Sequence, residues 1–274
     1  MPVFFLLLPV PMKTLRRPLP ALLLALGATL SAFAPAAMAQ DGKTLRLGID
    51  PNYPPMDSKT PDGKLAGFDV DLGNEICRRL NTHCQWVELE FSGMIPALQA
   101  RKIDGIMSTM AITEKRLKQI DFSNKLFQFK SRLVARKGVQ LQASADGLRG
   151  KRLGVQAGSQ FESYALAHWQ KSGVTVVAYQ GQDQVLADLV NGRIDAVLLG
   201  AVEAEYGFLK KPQGRDFAFV GEPISLGDRG VGIGLRKASV DLKARIDAAI
   251  AEMRRDGTYQ RIAAKYFDFD VYGG

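Results

Sequence analysis

Residues 69–91 read DVDLGNEICRRLNTHCQWVELEF, a helical pattern that runs directly into a strand pattern. Leu72, Ile76 and Leu80 recur at every fourth position, which predicts a helix over residues 69–81 with one buried face. The CQWVELEF that follows predicts a strand over residues 84–91. A helix that leads straight into a strand is typical of an α/β protein.

The same alternation extends outward from this stretch. Strands are predicted in TLRLGID (44–50) and GIMSTMA (105–111), and a short helix over residues 94–102 precedes the second of them. This β-α-β-α-β order predicts a parallel sheet covered by helices. Asp69 and Asp71 stand at the start of the first helix, where we interpret them as solvated acids that suit the helix dipole.

The pattern restarts after residue 136, which predicts a second α/β lobe. Its predicted strands are KRLGVQ (151–156), VTVVAY (174–179) and DAVLL (195–199), and its predicted helices span residues 160–171 and 183–192. VGIGLRK (231–237) and two further helices complete the chain. Residues 128–132 lack a Pro/Gly/Ser-rich linker, which favours a strand-like hinge over a flexible tether.

The first 39 residues differ from the rest because they contain no Asp or Glu. Lys13, Arg16 and Arg17 precede an apolar run that ends in the small residues AMA at Ala39. This arrangement predicts a secretory signal peptide over residues 1–39, with Met12 as an alternative start. The apolar run is short and interrupted by proline, which disfavours a membrane anchor.

The charge balance argues against nucleic-acid binding. The formal net charge of +8 falls to +5 when the three cations of the predicted signal peptide are subtracted. The remaining Lys and Arg residues form no basic block with interleaved aromatics, so we expect no nucleic-acid partner.

Cys77 and Cys84 are the only cysteines, and they lie at the end of the predicted helix and the start of the next strand. In an exported chain such a close pair predicts a disulfide. A metal site is the alternative, but the chain has only two histidines and no second cysteine pair.

Two stretches at strand ends carry groups suited to a ligand. IDPNYPP (49–55) places Asp50 and Tyr53 directly after the first strand, where open α/β sheets bind ligands. STMAITEKR (108–116) follows the third strand with the hydroxyls of Ser108 and Thr109 and then Arg116. A guanidinium at such a place is suited to bidentate capture of a carboxylate.

A third stretch, QAGSQFES (156–163), leads through Gly158 and Ser159 into a predicted helix. The exposed N–H groups of a helix N-terminus form an anion site. Motifs of hydrolytic enzymes are absent from the sequence: there is no G-x-S-x-G, no H-E-x-x-H and no phosphate-binding Walker loop. Signs of hydrolytic chemistry are therefore weak, and we predict no catalytic residues, cofactor or metal site.

Four long segments resemble the periplasmic solute-binding proteins for polar amino acids, in particular the lysine-arginine-ornithine and histidine binding group. They are residues 45–80 (LRLGIDPNYPPMDSKTPDGKLAGFDVDLGNEICRRL), 94–116 (MIPALQARKIDGIMSTMAITEKR), 207–214 (GFLKKPQG) and 256–273 (DGTYQRIAAKYFDFDVYG). The resemblance implies an α/β, two-lobed periplasmic binding protein type II fold. Each lobe is then a mostly parallel sheet flanked by helices, and a two-strand hinge joins the lobes. Lobe 1 would comprise residues 40–128 and 226–274, and lobe 2 residues 129–225.

The resemblance also implies roles for individual residues. Tyr53 and Phe91 would sandwich the side chain of the ligand, and Asp50 would pair with its cationic end. The ligand carboxylate would be held by the following groups: Ser108, Thr109, the backbone of Ala111, Arg116 and, from the second lobe, Ser159.

Three positions depart from the family pattern at the pole that holds the α-carbon. Ala111 replaces a hydroxyl residue, Gln160 replaces a threonine, and Gly200 replaces an aspartate that pairs with the α-ammonium. Either Glu203 takes over from that aspartate, or the ligand has no free α-ammonium. Gly200 would also leave space for a substituent on the nitrogen, as in an opine-like arginine derivative.

These features predict a periplasmic solute-binding protein of an ABC importer. Its ligand would be a cationic amino acid, or an N-substituted, opine-like or guanidino derivative, captured by lobe closure. The expected partners are the small-molecule ligand and a permease at the inner membrane, and the protein is expected to be a monomer. The alternative is an enzyme on the same fold, a periplasmic cyclohexadienyl or arogenate dehydratase. It would need an acid poised over a hydrophobic ring pocket.

Overall fold

A computed structural model describes residues 44–273 of the chain. The predicted signal peptide, residues 1–39, and the question of its start codon lie outside the described residues. Between residues 44 and 273, no helix has both the length and the apolar character needed to cross a membrane.

The strands and helices alternate much as the sequence predicts. In chain order the strands are β1 (Thr44–Ile49), β2 (Ser58–Lys59), β3 (Leu65–Ala66), β4 (His83–Glu88), β5 (Gly105–Ile106), β6 (Asp121–Phe122), β7 (Ser131–Arg136), β8 (Arg152–Gln156), β9 (Thr175–Tyr179), β10 (Ala196–Gly200), β11 (Phe217–Ile224) and β12 (Gly234–Leu235). The α-helices are α1 (Phe68–Arg79), α2 (Met94–Gln99), α3 (Glu114–Leu117), α4 (Gln160–His168), α5 (Gln182–Val190), α6 (Val240–Arg255) and α7 (Thr258–Ala263). Short 3-10 turns lie at Phe91–Gly93, Gln170–Ser172 and Pro212–Gly214, and a π-helix spans Glu203–Leu209.

The strands form two five-stranded sheets, which confirms the predicted α/β class. The first sheet has the order β4-β1-β5-β12-β6 and the second β11-β7-β10-β8-β9. The strands of the predicted β-α-β units pair in parallel: β4-β1-β5 in the first sheet and β10-β8-β9 in the second. The remaining pairings are antiparallel. Each sheet is therefore mixed rather than mostly parallel, because it also contains two antiparallel strands from outside the β-α-β units. These are β12 and β6 in the first sheet and β7 and β11 in the second.

Helices cover the sheets with large apolar side chains. Phe68, at the start of α1, is completely buried, and its ring lies 5.4 Å from that of Phe127 and 5.1 Å from that of Phe267. These contacts join α1 to the C-terminal segment on the first sheet. The second sheet has its own core, in which Leu133 and Leu198 are fully buried.

Two segments connect the sheets, residues 123–130 and residues 225–233. They run side by side and pair with each other, because Leu126 N–H donates to Val231 O at 2.7 Å and Val231 N–H donates to Phe127 O at 2.8 Å. The lobe boundaries predicted after residues 128 and 225 fall in these segments, and they stay predictions. Strand β7 was not predicted, because its start was interpreted as part of the hinge.

The predicted disulfide is present. Cys77 in α1 and Cys84 in β4 are bonded, with their Cα atoms 5.7 Å apart. In the described residues no group of His, Cys, Asp and Glu is arranged to hold a metal ion. The bond ties the end of α1 to the strand at the edge of the first sheet.

We expect replacement of both cysteines by serine to lower the free energy of unfolding by roughly 2–3 kcal/mol, because the bond closes a short loop in the unfolded chain. Chemical denaturation of the variant and the oxidised parent measures this difference. Titration of the denatured parent without reductant should find no reactive thiol, and two reactive thiols would contradict the pairing.

Candidate functional site

One cavity between the two sheets brings together the residues that the sequence singled out. It has a volume of about 40 Å³. All ten predicted site residues line it: Asp50, Tyr53, Phe91, Ser108, Thr109, Ala111, Arg116, Ser159, Gln160 and Gly200. Seven further residues line it: Phe129, Ser131, Gln156, Phe161, Glu203, Asp228 and Val231. The roles assigned to individual residues remain predictions, whereas their placement around one cavity is an observation.

The fold explains this convergence. Asp50 follows β1, Ser108 follows β5, Gln156 ends β8 and Gly200 ends β10. The carboxyl ends of these strands point toward the space between the sheets, which is where open α/β sheets bind ligands. These four residues are therefore held at the ends of strands rather than in long loops.

Arg116 is a buried cation in the cavity wall. Its Nη1 donates to Ala111 O at 2.8 Å, and its Nη2 donates across the cleft to Gly158 O at 3.0 Å. The guanidinium also lies 5.4 Å from the centre of the Phe91 ring. Burial lowers the pKa of Arg116 to about 10, although the charge of Asp228 opposes this shift. The group is thus positively charged at neutral pH, and its hydrogen bonds go to neutral carbonyls rather than to a carboxylate.

The N-terminus of α4 lies beside Arg116. Ser159 caps the helix, and its Oγ accepts from Glu162 N–H at 3.1 Å. The amides of Gln160 and Phe161 in the first turn have no intrahelical acceptor, and the helix dipole adds partial positive charge there. Together with the guanidinium these groups form a subsite for an anion such as a carboxylate.

Asp50 follows β1 of the first sheet and is 2 % exposed. Both of its carboxylate oxygens accept hydrogen bonds. Its Oδ1 accepts from the side chain of Asn52 at 2.8 Å, and its Oδ2 accepts from Gln156 Nε2 at 2.7 Å. Burial raises the pKa of Asp50, and the hydrogen bonds from Asn52 and Gln156 oppose that shift. Gln156 was not predicted as a site residue, although its position at the end of a predicted strand was a signal for it.

Two further carboxyl groups lie directly behind the cavity wall. Ser108 Oγ donates to Asp57 Oδ2 at 3.0 Å, and Asp69 Oδ2 accepts from Thr109 N at 2.6 Å and from Thr109 Oγ1 at 3.0 Å. The hydroxyls of Ser108 and Thr109 thus donate to carboxyl groups of the protein, whereas the sequence predicted that they hold a ligand carboxylate. Asp69 is buried, so its interpretation as a solvated acid is wrong.

Asp57 and Asp69 form a buried carboxyl pair. Within residues 44–273 the Oδ1 atom of each has no hydrogen-bond partner. Burial raises the pKa of both groups, and the charge of Asp69 raises that of Asp57 further. Since an unfolded aspartate has a pKa of about 4, the folded protein binds more protons than the unfolded chain above that pH. This contribution to stability is complete below about pH 4 and is lost as the pH rises through the raised pKa values.

We expect Asp57→Asn to raise the free energy of unfolding at pH 8 by about 1–3 kcal/mol, because it removes one buried charge and the repulsion between the two carboxylates. The gain should vanish near pH 4, where the parent pair is protonated. Urea unfolding at both pH values measures it, with Asp62→Asn at an exposed position as the matched control. If Asp57→Asn destabilised the protein equally at pH 4 and pH 8, the interpretation of Asp57 and Asp69 as a buried pair with raised pKa values would be contradicted.

Glu203 occupies the space beside Gly200. A Cβ atom built on Gly200 would overlap Glu203 Oε2 and would lie 2.9 Å from Glu203 Cδ. The side chain of Glu203 is buried, and burial raises its pKa to about 7. The sequence predicted that Gly200 leaves room for a substituent on the nitrogen of a ligand. The structure corrects this expectation, because a carboxyl group takes up that room.

Four aromatic rings complete the wall, and that of Phe161 lies in the first turn of α4. Tyr53 and Phe91 are 8 % and 9 % exposed, and Phe129 from a connecting segment was not predicted. Tyr53 is fixed by a tight turn, in which its N–H donates to Asp57 O at 2.9 Å and its carbonyl accepts from Asp57 N at 3.0 Å. Phe91 also belongs to the hydrophobic core beside α2, so its ring contributes to the fold as well as to the cavity wall.

Comparison with known proteins assigns the chain to a family. Residues 45–269 match the sequence model of the bacterial extracellular solute-binding proteins, family 3. The chain belongs to this family. It is 48% identical over 257 residues to the lysine/arginine/ornithine-binding periplasmic protein of Escherichia coli (strain K12), a match that covers 92% of this chain and 97% of the relative. It is 47% identical over 244 residues to the histidine-binding periplasmic protein of the same strain, covering 88% and 94%.

Solved structures support the same assignment for this family 3 protein. An ancestral arginine-binding protein bound to arginine superposes with a TM-score of 0.77 and 36% identity, covering 82% of this chain and 98% of that one. The fold is that of a type II periplasmic binding protein, as predicted. The similar curated proteins are binding proteins rather than enzymes, so this member of family 3 is a solute-binding protein and not a dehydratase.

Proposed function

We propose that the protein is the periplasmic binding component of an ABC importer for a free cationic amino acid. The observation that carries this proposal is the charge of the cavity. Asp50 and Glu203 line it, and Asp57 and Asp69 lie directly behind it, whereas Arg116 is the buried cation among them. In the wall itself the carboxyl groups are those of Asp50, Glu203 and Asp228 against the one guanidinium of Arg116, a balance that suits a ligand with more positive than negative charge.

The arrangement of the two poles suits an amino acid. The guanidinium of Arg116 and the first turn of α4 bind the α-carboxylate. Asp50 binds the cationic group at the far end of the ligand, whose aliphatic stem lies between Tyr53 and Phe91. The names of the similar binding proteins, which include lysine, arginine, ornithine and histidine, support this class of ligand.

Lobe closure is the proposed mechanism of capture. Polar contacts cross the cleft from Arg116 to Gly158 O at 3.0 Å and from Asp50 to Gln156 at 2.7 Å. Because both of these contacts involve cavity residues, a ligand held by the same residues stabilises the closed arrangement over an open one. The closed form then docks as a monomer on the permease. Export by the predicted signal peptide over residues 1–39 delivers the protein to the periplasm.

The ligand carried by the purified protein tests this proposal. Small molecules released by denaturing the protein are identified by mass spectrometry, and a thermal-shift screen of the common amino acids is run in parallel. We expect arginine, lysine, ornithine or histidine in the extract, and the largest stabilisation from the same compounds. A neutral or acidic amino acid that dominates both measurements would overturn the proposal.

A further inference from the structure

The carboxyl group of Glu203 stands where a side chain of residue 200 would lie. The three atoms nearest to a Cβ built on Gly200 are Oε2, Cδ and Oε1 of Glu203, the last two at 2.9 and 3.3 Å. The carboxyl group beside the tip of β10 thus belongs to a residue three positions further along the chain. Glycine is the residue that makes room for it.

Glu203 is a buried acid with an unsatisfied oxygen. The residue is 4 % exposed, it lines the cavity, and its Oε2 has no hydrogen-bond partner among residues 44–273. An unpaired buried carboxylate is costly, and a cation in the cavity would remove that cost. An apolar side chain would fill this space at a lower cost in free energy, so the presence of a buried acid indicates a charged occupant.

The backbone holds Glu203 in this position. It begins a π-helix, in which Lys210 N–H donates to Glu205 O at 2.9 Å, and such segments are frequent at functional sites. Gly207 of the same π-helix packs against the carbonyl of Pro54, beside Tyr53. The segment that carries Glu203 is thereby pressed against the turn that forms the opposite wall of the cavity.

We infer that Glu203 binds the α-ammonium of the ligand, and that the site thereby selects amino acids with an unsubstituted α-nitrogen. The inference rests on the proposed function. It makes Glu203 a specificity-determining residue that contacts the ligand directly. A substituent on the nitrogen would have to displace the side chain of Glu203 from the space beside Gly200, so N-acylated and opine-like derivatives are rejected.

Isothermal titration with three related ligands tests this assignment. Arginine carries the α-ammonium, 5-guanidinopentanoate lacks it, and Nα-acetylarginine has it blocked. We expect the parent protein to bind arginine at least roughly 30-fold more tightly than either of the other two. Glu203→Gln should weaken arginine about tenfold or more and leave 5-guanidinopentanoate within about threefold. The unchanged binding of the second ligand shows that the variant is folded.

A double variant that moves the acid from residue 203 to residue 200 provides a second, independent test. In Gly200→Asp/Glu203→Ala the new side chain enters the space that Glu203 leaves. We expect this double variant to bind arginine more tightly than Glu203→Ala does, with a gain of about tenfold. Gly200→Asp alone should lose affinity for arginine, because the new Cβ overlaps Glu203.

The outcomes separate this inference from the function on which it rests. If the parent binds arginine tightly while Glu203→Gln and the double variant show neither loss nor rescue, the ammonium assignment is overturned and the transport proposal stands. Equal binding of arginine and Nα-acetylarginine by the parent would also overturn it. If the parent binds no basic amino acid, the proposed function fails and the assignment fails with it.

Discussion

Arg116→Ala is expected to weaken the binding of a basic amino acid by about 2–5 kcal/mol, or roughly 30- to 5,000-fold. The guanidinium is 6 % exposed and faces the cavity beside the first turn of α4, so a ligand carboxylate closed into the site would lose its only charged partner in that wall. The loss should be specific to the carboxylate. Agmatine, which is arginine without that group, should bind the parent and the variant with affinities within about threefold of each other.

Arg132→Ala is the matched control for this variant. Arg132 lies in β7 outside the cavity wall, where its Nη2 donates to Gly221 O at 3.1 Å and its guanidinium lies 4.5 Å from the centre of the Phe219 ring. It therefore resembles Arg116 in bonding a carbonyl and facing an aromatic ring. We expect Arg132→Ala to leave the dissociation constant for arginine nearly unchanged. A change below tenfold for Arg116→Ala, measured by isothermal titration, would contradict the anion subsite.

Asp50→Asn is expected to produce the second large loss, about 2–4 kcal/mol for arginine or lysine. The substitution keeps the shape of the side chain and removes the charge that faces the cationic end of the ligand. Citrulline, a neutral analogue of arginine, should not lose affinity. Asn52→Ala is the control, because it removes the hydrogen bond to Asp50 Oδ1 at 2.8 Å and leaves the charge in place. Titration of both variants with arginine and citrulline measures the difference, and an equal loss for the two ligands would contradict this role of Asp50.

The β-α-β units were predictable from sequence because each produces a periodic apolar pattern. Leu72, Ile76 and Leu80 marked α1, which the structure places at Phe68–Arg79. Strand β7 was missed even though Leu133 and Val134 are completely buried, because it follows a connecting segment rather than a helix. This antiparallel strand therefore could not be predicted from the alternation of strands and helices.

The cavity residues at strand ends were also predictable, because strand ends meet at one edge of a sheet. Asp57 and Asp69 were not, since an acid in a polar turn or at a helix start has the same local pattern whether it is solvated or buried. Their burial depends on Ser108 and Thr109, which approach from a different part of the chain. Whether the space beside Gly200 is open or filled by Glu203 could not be predicted either, because the answer depends on the distance between the backbone of Gly200 and the side chain of Glu203.

A titration of the unmodified protein with arginine and with citrulline tests the central claim most directly. The two ligands share the same α-carboxylate and α-ammonium and nearly the same shape, and they differ in the charge at the far end. The account predicts that arginine binds at least about 100-fold more tightly, which corresponds to roughly 2.7 kcal/mol from a charge paired in a buried site. Citrulline binding as tightly as arginine would show that the cavity does not recognise a cation, and would contradict the assignment of the protein to cationic amino acids.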